Sequence, residues 1–152
     1  LGAMLSLLVC LMFTGCSNSE TNSTSRGLTD FAHIEEEYLA TIDSLNWPDG
    51  IALPDKLEDE DTGASFQVGY GETRASYLWE YSWMKEWLDT YNTDPERAEK
   101  ALEELEKAFD MPYMGIDRCD DATRNYLREN IDKAKLGDPS GFTESIRANY
   151  AN

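Results

Sequence analysis

The residues TRASYLWEYSWMKEWLDTY, at positions 73–91, constrain the fold of this chain more than any other stretch. In a helix they place tyrosines and aliphatic residues on one face, while Trp79, Trp83 and Trp87 follow one another along its flank. The combined apolar arc is about 200° wide, which is broader than the stripe of an ordinary surface helix. We therefore predict a central helix over residues 73–91 that other elements contact on two sides.

Apolar residues recur at helical spacing in four further stretches, each bounded by capping or turn residues. Thr29 or Asp30 is suited to cap the first helix. Asp94, followed by Pro95, is suited to start the third, with a Thr93–Glu96 capping box as the alternative. The residues expected to face inward on the fourth are Tyr126, Leu127, Ile131 and Ala134. The predicted helices cover residues 29–45, 73–91, 93–109, 120–136 and 138–150. The pattern predicts an all-α fold, a small helical bundle of about four to five helices.

A long irregular segment, residues 48–71, separates the first two of these helices. Its prolines and its acidic run DKLEDEDTG favour turns, with a short extended piece expected at residues 65–70. Five carboxylates fall within seven residues: Asp55, Glu58, Asp59, Glu60 and Asp61. Such a cluster is either a solvated acidic loop or a calcium site, but the spacing does not match an EF-hand loop. We therefore predict a solvated loop and no metal site.

The N-terminal 15 residues form the one long apolar run of the chain, and residue 16 is a cysteine. An apolar run that ends in small residues is typical of a secretory signal peptide. The run lacks charged residues and Leu1 is not an initiator, so we expect a basic region upstream of it. The segment Phe13-Thr14-Gly15-Cys16 resembles the lipobox of bacterial lipoproteins, although that motif usually has leucine where Phe13 stands. The alternatives are a plain secretory signal and an uncleaved membrane anchor.

The resemblance implies that the Cys16 sulfur receives a diacylglyceryl group and that Cys16 becomes the first residue of the mature chain. The residues that follow, SNSETNSTSRG, have no apolar side chain to bury and predict a flexible tether with a reach of about 20 Å. We therefore predict a signal peptide at 1–15, a lipidated cysteine and tether at 16–28, and one folded domain at 29–152. The protein is expected on the extracytoplasmic side of a bacterial cell membrane, with the membrane as its partner through the lipid anchor.

The charge of the chain excludes one class of partner. Thirty acidic residues against 13 basic residues give a formal net charge of −17. A surface of this sign repels nucleic-acid phosphates, so we predict no nucleic-acid partner.

The residues that most often carry catalysis are sparse. His33 is the only histidine, and Cys119 is the only cysteine left after the predicted processing. Neither a catalytic triad nor a zinc site can be assembled from one histidine and one cysteine. The aspartates around Cys119 raise a thiol pKa, which favours a structural thiol over a nucleophile. We predict a solvated or half-buried His33 and no cofactor.

Two hypotheses for the function remain. In the first, the protein is an interaction module in which Trp79, Trp83 and Trp87 line a groove for a protein or glycan partner. The alternative for these side chains is that Trp47 and residues 48–71 cover them. In the second hypothesis, the protein is a small envelope carbohydrate-active enzyme with two carboxylates facing each other across a cleft. The candidate carboxylates are Glu72, Glu80 and Glu86.

Overall fold

A computed structural model describes residues 27–58 and 60–150 of the chain. Within these ranges the chain forms five α-helices and one two-stranded sheet. The elements are β1 (Leu28–Thr29), α1 (Phe31–Ser44), β2 (Phe66–Gln67), α2 (Tyr70–Thr90), α3 (Pro95–Glu106), α4 (Asp121–Lys135) and α5 (Ser140–Asn149). Two 3₁₀ helices, Lys107–Asp110 and Pro112–Met114, connect α3 to α4. The predicted small all-α bundle is confirmed. The predicted signal peptide and Cys16 lie outside the described residues.

Aspartates cap three of the helices. Asp30 precedes α1, Asp94 precedes α3 and Asp120 precedes α4, and each Oδ1 accepts the backbone amide three residues later, at 3.1, 3.2 and 2.7 Å. Each bond satisfies one of the free amides at a helix N-terminus, which is why aspartate favours this position. Of the alternatives left open by the sequence, the aspartates are the caps of α1 and α3.

The central helix α2 begins at Tyr70, three residues before the predicted start. Its N-terminus is capped from another helix: Glu37 of α1 accepts the amide of Gly69 at 2.7 Å and that of Gly71 at 3.1 Å. A carboxylate at a helix N-terminus satisfies free amides and interacts favourably with the helix dipole. Gly69 has a φ of 88°, which glycine adopts without strain.

Helices α1 and α2 approach each other most closely at Gly71. A β-carbon at this position would lie 1.8 Å from the carbonyl oxygen of Ile34. The absence of a side chain therefore permits the contact that buries Ile34, Tyr38 and Ala75 between the two helices.

The larger part of the core lies on the other side of α2, where the tryptophans pack against apolar residues of α3, α4 and α5. Ala98 and Ala101 of α3 are buried in this part of the core, and both have small side chains. Helix α2 is thus contacted by α1 and by α3, as its wide apolar arc predicts.

The sheet changes the predicted domain boundary. Strand β1 pairs antiparallel with β2, with Leu28 opposite Gln67 and Thr29 opposite Phe66, and the Val68 amide donates to the Gly27 carbonyl at 3.0 Å. Gly27 and Leu28, which were assigned to the tether, therefore belong to the folded domain. A two-residue strand has too short a sequence pattern to be recognised before its partner is known.

Candidate ligand pocket

The three tryptophans of α2 do not form an exposed face. Trp79 and Trp83 are each 1% exposed and Trp87 is 2% exposed. Both Nε1–H groups of Trp79 and Trp83 donate to the backbone carbonyl of Asn46, at 2.8 and 3.1 Å. One carbonyl of the segment after α1 thus satisfies two indoles, and this permits both rings to be fully buried.

The prediction of a tryptophan-lined groove is therefore wrong for Trp79 and Trp83. Trp47, in the same segment, donates its own Nε1–H to the Ile42 carbonyl at 2.9 Å and packs against both parts of the core. This agrees with the alternative interpretation, in which Trp47 helps to cover the tryptophans of α2. Trp87 borders an open depression of about 440 Å³ between α3 and α4 but is itself almost entirely covered.

The candidate carboxylates of α2 do not face each other across a cleft. Glu72 pairs with Arg118 at 2.6 Å, and Glu86 accepts two bonds from Arg97 at 2.7 and 2.9 Å. Each of these carboxylates is held by a guanidinium, and Glu80 is the one of the three that lines an internal pocket. A mechanism with paired carboxylates needs two acids in one cleft, and in the pocket that Glu80 lines the described residues do not provide the second.

The pocket around Glu80 has a volume of about 480 Å³ and lies between α2, α4 and α5. Three tyrosines line it, one from each side: Tyr77 of α2, Tyr126 of α4, and Tyr150, which follows α5. Tyr77 and Tyr126 are each 40% exposed. The sequence predicts Tyr126 to face the core, but it lines the pocket instead. The buried stripe of α4 is formed by Leu127, Ile131 and Ala134.

Glu80 is the only carboxylic acid that lines this pocket among the described residues. It is 7% exposed, and the hydroxyl of Tyr113 donates to its Oε2 at 2.7 Å. Burial raises the pKa of Glu80 to about 7, although the Tyr113 hydrogen bond acts in the opposite direction. Near neutral pH the acid is therefore divided between its neutral and ionised forms.

The tyrosines are arranged around this acid by contacts of their own. The Tyr150 hydroxyl donates to the Tyr77 carbonyl at 3.3 Å, and the ring of Tyr150 lies against that of Tyr81 with centroids 4.9 Å apart. Tyr77 meets the ring of Tyr113 edge to face at 5.5 Å. Burial raises the pKa of Tyr77 and of Tyr150, and the nearby Glu80 adds to this, so both phenols are neutral at pH 7.

The remaining polar lining is small. Ser145 and Asn149 come from α5, and the side-chain Nδ2 of Asn149 donates to the backbone carbonyl of Ser145 at 3.1 Å. Arg74 of α2 stands at the edge, with its Nε 3.4 Å from Glu60 Oε1. Arg74 is the one basic side chain that lines the pocket within the described ranges.

Sequence reasoning singled out Glu80 but missed the tyrosines. Tyr77 and Tyr126 belong to apolar helical stripes, which predict core positions. Tyr150 lies beyond the end of α5. The three come together only through the packing of α4 and α5 against α2, for which no local pattern gives a signal.

The acidic segment between α1 and α2 is bonded internally. Glu58 pairs with a neighbouring lysine at 2.7 Å, Glu60 accepts the Tyr70 hydroxyl at 2.8 Å, and Asp61 accepts a backbone amide at 2.9 Å. Asp59 lies outside the described residues. In residues 27–58 and 60–150, no group of three or more histidine, cysteine or carboxylate side chains is placed to hold a metal ion.

Neither His33 nor Cys119 belongs to a group that could hold a metal ion in the described part of the chain. The His33 side chain is 48% exposed, with Nε2 3.4 Å from a Glu37 oxygen, which agrees with the predicted solvated histidine. Burial raises the pKa of the Cys119 thiol, Arg124 lowers it and Asp120 raises it, and the sulfur lies 3.6 Å from Met114 Sδ. Both observations favour a structural thiol.

In the part of the chain that the structure describes, no helix combines the length and the apolar character that crossing a bilayer requires. No protein-family model, no curated protein and no solved structure matches the chain.

Proposed function

We propose that this protein is a lipid-anchored, extracytoplasmic binding protein of a bacterial envelope, and that its ligand is a small molecule held in the pocket around Glu80. The anchor is Cys16, and the residues between it and Gly27 form the tether. The single observation that carries the proposal of ligand binding is the Glu80 carboxyl, which is buried at the wall of a pocket of about 480 Å³ and forms no ion pair with any described residue.

The size and lining of the pocket suit a small molecule. Ligand pockets are commonly about 300–1,000 Å³, mostly apolar, with a few polar groups that fix orientation. Here Leu127, Met114 and three tyrosine rings provide the apolar wall. Glu80, Ser145 and Asn149 provide polar groups at separate points. A carboxyl buried without an opposite charge costs stability, and such groups cluster at functional sites.

The acidic surface agrees with a role away from nucleic acids and anionic lipid head groups. The net charge of −17 repels both, so the folded domain stays clear of an anionic membrane while the tether holds it nearby. Interaction with a diffusible ligand is compatible with this arrangement.

The anchor is tested by metabolic labelling with a palmitate analogue in the native host. The wild-type protein should carry the label and sediment with membranes, and Cys16→Ser should lose both properties. Cys119→Ser is the matched control and should keep them. Label that persists in Cys16→Ser would overturn the proposed anchor.

The pocket is tested by thermal unfolding of the full chain against a panel of sugars, amino acids, amines and organic acids. A ligand at 100 times its Kd stabilises the folded state by about 2.7 kcal/mol, which corresponds to a rise of about 10 °C in Tm. The same compound should have a smaller effect on Tyr126→Ala. Leu136→Ala, an exposed change just after the same helix, is the matched control and should respond as the wild type does. A panel without any stabilising compound would refute the pocket as a ligand site.

A further inference from the structure

One oxygen of Glu80 is free to meet a ligand. The Tyr113 hydroxyl occupies Oε2, and Oε1 has no hydrogen bond to any described residue. Asn130 Nδ2 is the one fully enclosed side-chain polar atom without a partner in residues 27–58 and 60–150, so Oε1 of Glu80 is not fully enclosed. Since Glu80 lines the pocket and Oε2 is occupied by Tyr113, a ligand that pairs with this carboxylate would use Oε1.

No positive charge compensates this carboxylate from within the described part of the chain. The titratable groups whose charges act together with Glu80 are Tyr77, Tyr113, Tyr150 and Cys119. Burial raises the pKa of each of them, so all four are neutral at pH 7. The ionised form of Glu80 therefore lacks a counter-charge.

Arg74, the basic residue at the edge of the pocket, is directed to another partner. Its Nε lies 3.4 Å from Glu60, whose same oxygen accepts the Tyr70 hydroxyl at 2.8 Å. The Arg74 side chain is 44% exposed. Its charge is thus balanced by Glu60 and screened by solvent, and it is not among the groups that shift the pKa of Glu80.

The tyrosines favour the same kind of ligand. An aromatic ring attracts a cation placed over its face within about 6 Å, and several rings around one site form a cage for alkylammonium groups. Tyr77, Tyr126 and Tyr150 line one pocket with a carboxylate, and the net charge of −17 raises the local concentration of cations. A neutral sugar would also stack on the rings and could donate a hydroxyl to the carboxylate, but it would leave the negative charge uncompensated.

We propose that the ligand of this pocket is an organic cation, whose ammonium group lies between the Glu80 carboxylate and the rings of Tyr77, Tyr126 and Tyr150. This proposal rests on the proposed function, since it names the ligand class of the same pocket. A polyol or another neutral molecule is the competing outcome.

The test compares choline with 3,3-dimethylbutan-1-ol, which has the same shape without the charge. Binding to the full chain is measured by calorimetry at pH 8 and low salt. Choline should bind at least about 10-fold more tightly than the neutral isostere, because only choline pairs with the carboxylate. Glu80→Gln should reduce this preference to the part that the tyrosine rings supply and leave binding of the neutral isostere unchanged. Glu86→Gln, which removes a carboxylate of the same helix already bonded to Arg97, is the matched control and should keep the preference.

A second pair of variants tests the rings and does not depend on the folding of Glu80→Gln. Tyr126→Phe keeps a ring over the pocket, and Tyr126→Leu removes it at a position that is 40% exposed. Choline affinity should be retained in the first variant and fall several-fold in the second. Affinity should also rise from pH 5.5 to pH 8 in the wild type, as Glu80 loses its proton, and this dependence should be absent in Glu80→Gln.

The outcomes separate the two proposals. Equal binding of choline and its neutral isostere, with no effect of Glu80→Gln, would overturn the cationic ligand and leave a ligand pocket. Stabilisation by sugars or acids in the panel, without binding of choline or of any amine in the panel, would have the same meaning. If no compound of any class binds, the proposed function fails as well.

Discussion

Replacing Glu80 by glutamine removes a charge that the folded domain holds at a cost above neutral pH. Burial raises the pKa of Glu80 from 4.5 to about 7. Between these values the folded state binds the proton more tightly than the unfolded state. The stability that this provides is fully present below pH 4.5 and is lost as the pH rises through about 7. At about 1.4 kcal/mol per pH unit, the loss amounts to about 3 kcal/mol.

Glutamine has nearly the same shape and keeps an oxygen that accepts the Tyr113 hydroxyl, so the variant removes the charge and preserves the hydrogen bond. The free energy of unfolding in urea, followed by tryptophan fluorescence, is measured at pH 5 and pH 8. Relative to the wild type, Glu80→Gln should gain about 2.5 kcal/mol between the two pH values, since part of the effect is already lost at pH 5. The comparison cancels the pH dependence of all other groups.

Glu86→Gln is the control for this measurement. Its carboxylate is on the same helix but is bonded by the guanidinium of Arg97 at 2.7 and 2.9 Å. The variant should not gain stability relative to the wild type as the pH rises. The reasoning about the buried acid is refuted if the difference in free energy of unfolding between wild type and Glu80→Gln stays constant within about 0.5 kcal/mol from pH 5 to pH 8.

Three further predictions concern the contacts that position α2. For each variant the free energy of unfolding in urea is measured. Gly71→Ala should destabilise by at least about 3 kcal/mol, since the new β-carbon would lie 1.8 Å from the Ile34 carbonyl oxygen and the helices must separate. Glu37→Gln should cost about 1–2 kcal/mol, because an amide accepts only one of the two N-terminal amides of α2. Trp79→Phe should cost about 1–3 kcal/mol through lost volume and a lost indole hydrogen bond.

Matched changes separate these effects from general sensitivity. Gly27→Ala introduces a β-carbon with no heavy atom within 4 Å, and Glu36→Gln alters an exposed glutamate next to the capping residue. Both should change stability by less than about 0.5 kcal/mol. A Gly71→Ala protein as stable as Gly27→Ala would contradict the close approach of α1 and α2. Equal stability of Glu37→Gln and Glu36→Gln would contradict the capping of α2.

Local patterns were sufficient to predict most of the fold. The caps at Asp30 and Asp94, the stripe of α3 and the wide apolar arc of α2 are each determined by residues close together in the chain. The start of α2 was misplaced because its cap, Glu37, comes from another helix. The pairing of β1 with β2 has no signal in the sequence for a different reason, which is that each strand has only two residues.

The candidate site was less accessible to sequence reasoning. Periodicity identified the tryptophans as prominent, but whether an aromatic residue is core or binding surface depends on what covers it, and here Asn46 and Trp47 do so. Glu80 was one of three candidates on α2, and only the positions of Arg97 and Arg118 distinguish it from the others. The lipid anchor at Cys16 remains a prediction from the sequence.

The shared Asn46 carbonyl links the segment that follows α1 to two tryptophans of α2. Detaching the stretch that leaves α1 exposes both indole N–H groups to solvent in a single opening event. The two indole protons should therefore exchange with deuterium at matching rates. Because the rings of Trp79 and Trp83 are also matched in burial, we expect both indoles to become accessible together when the segment after α1 detaches.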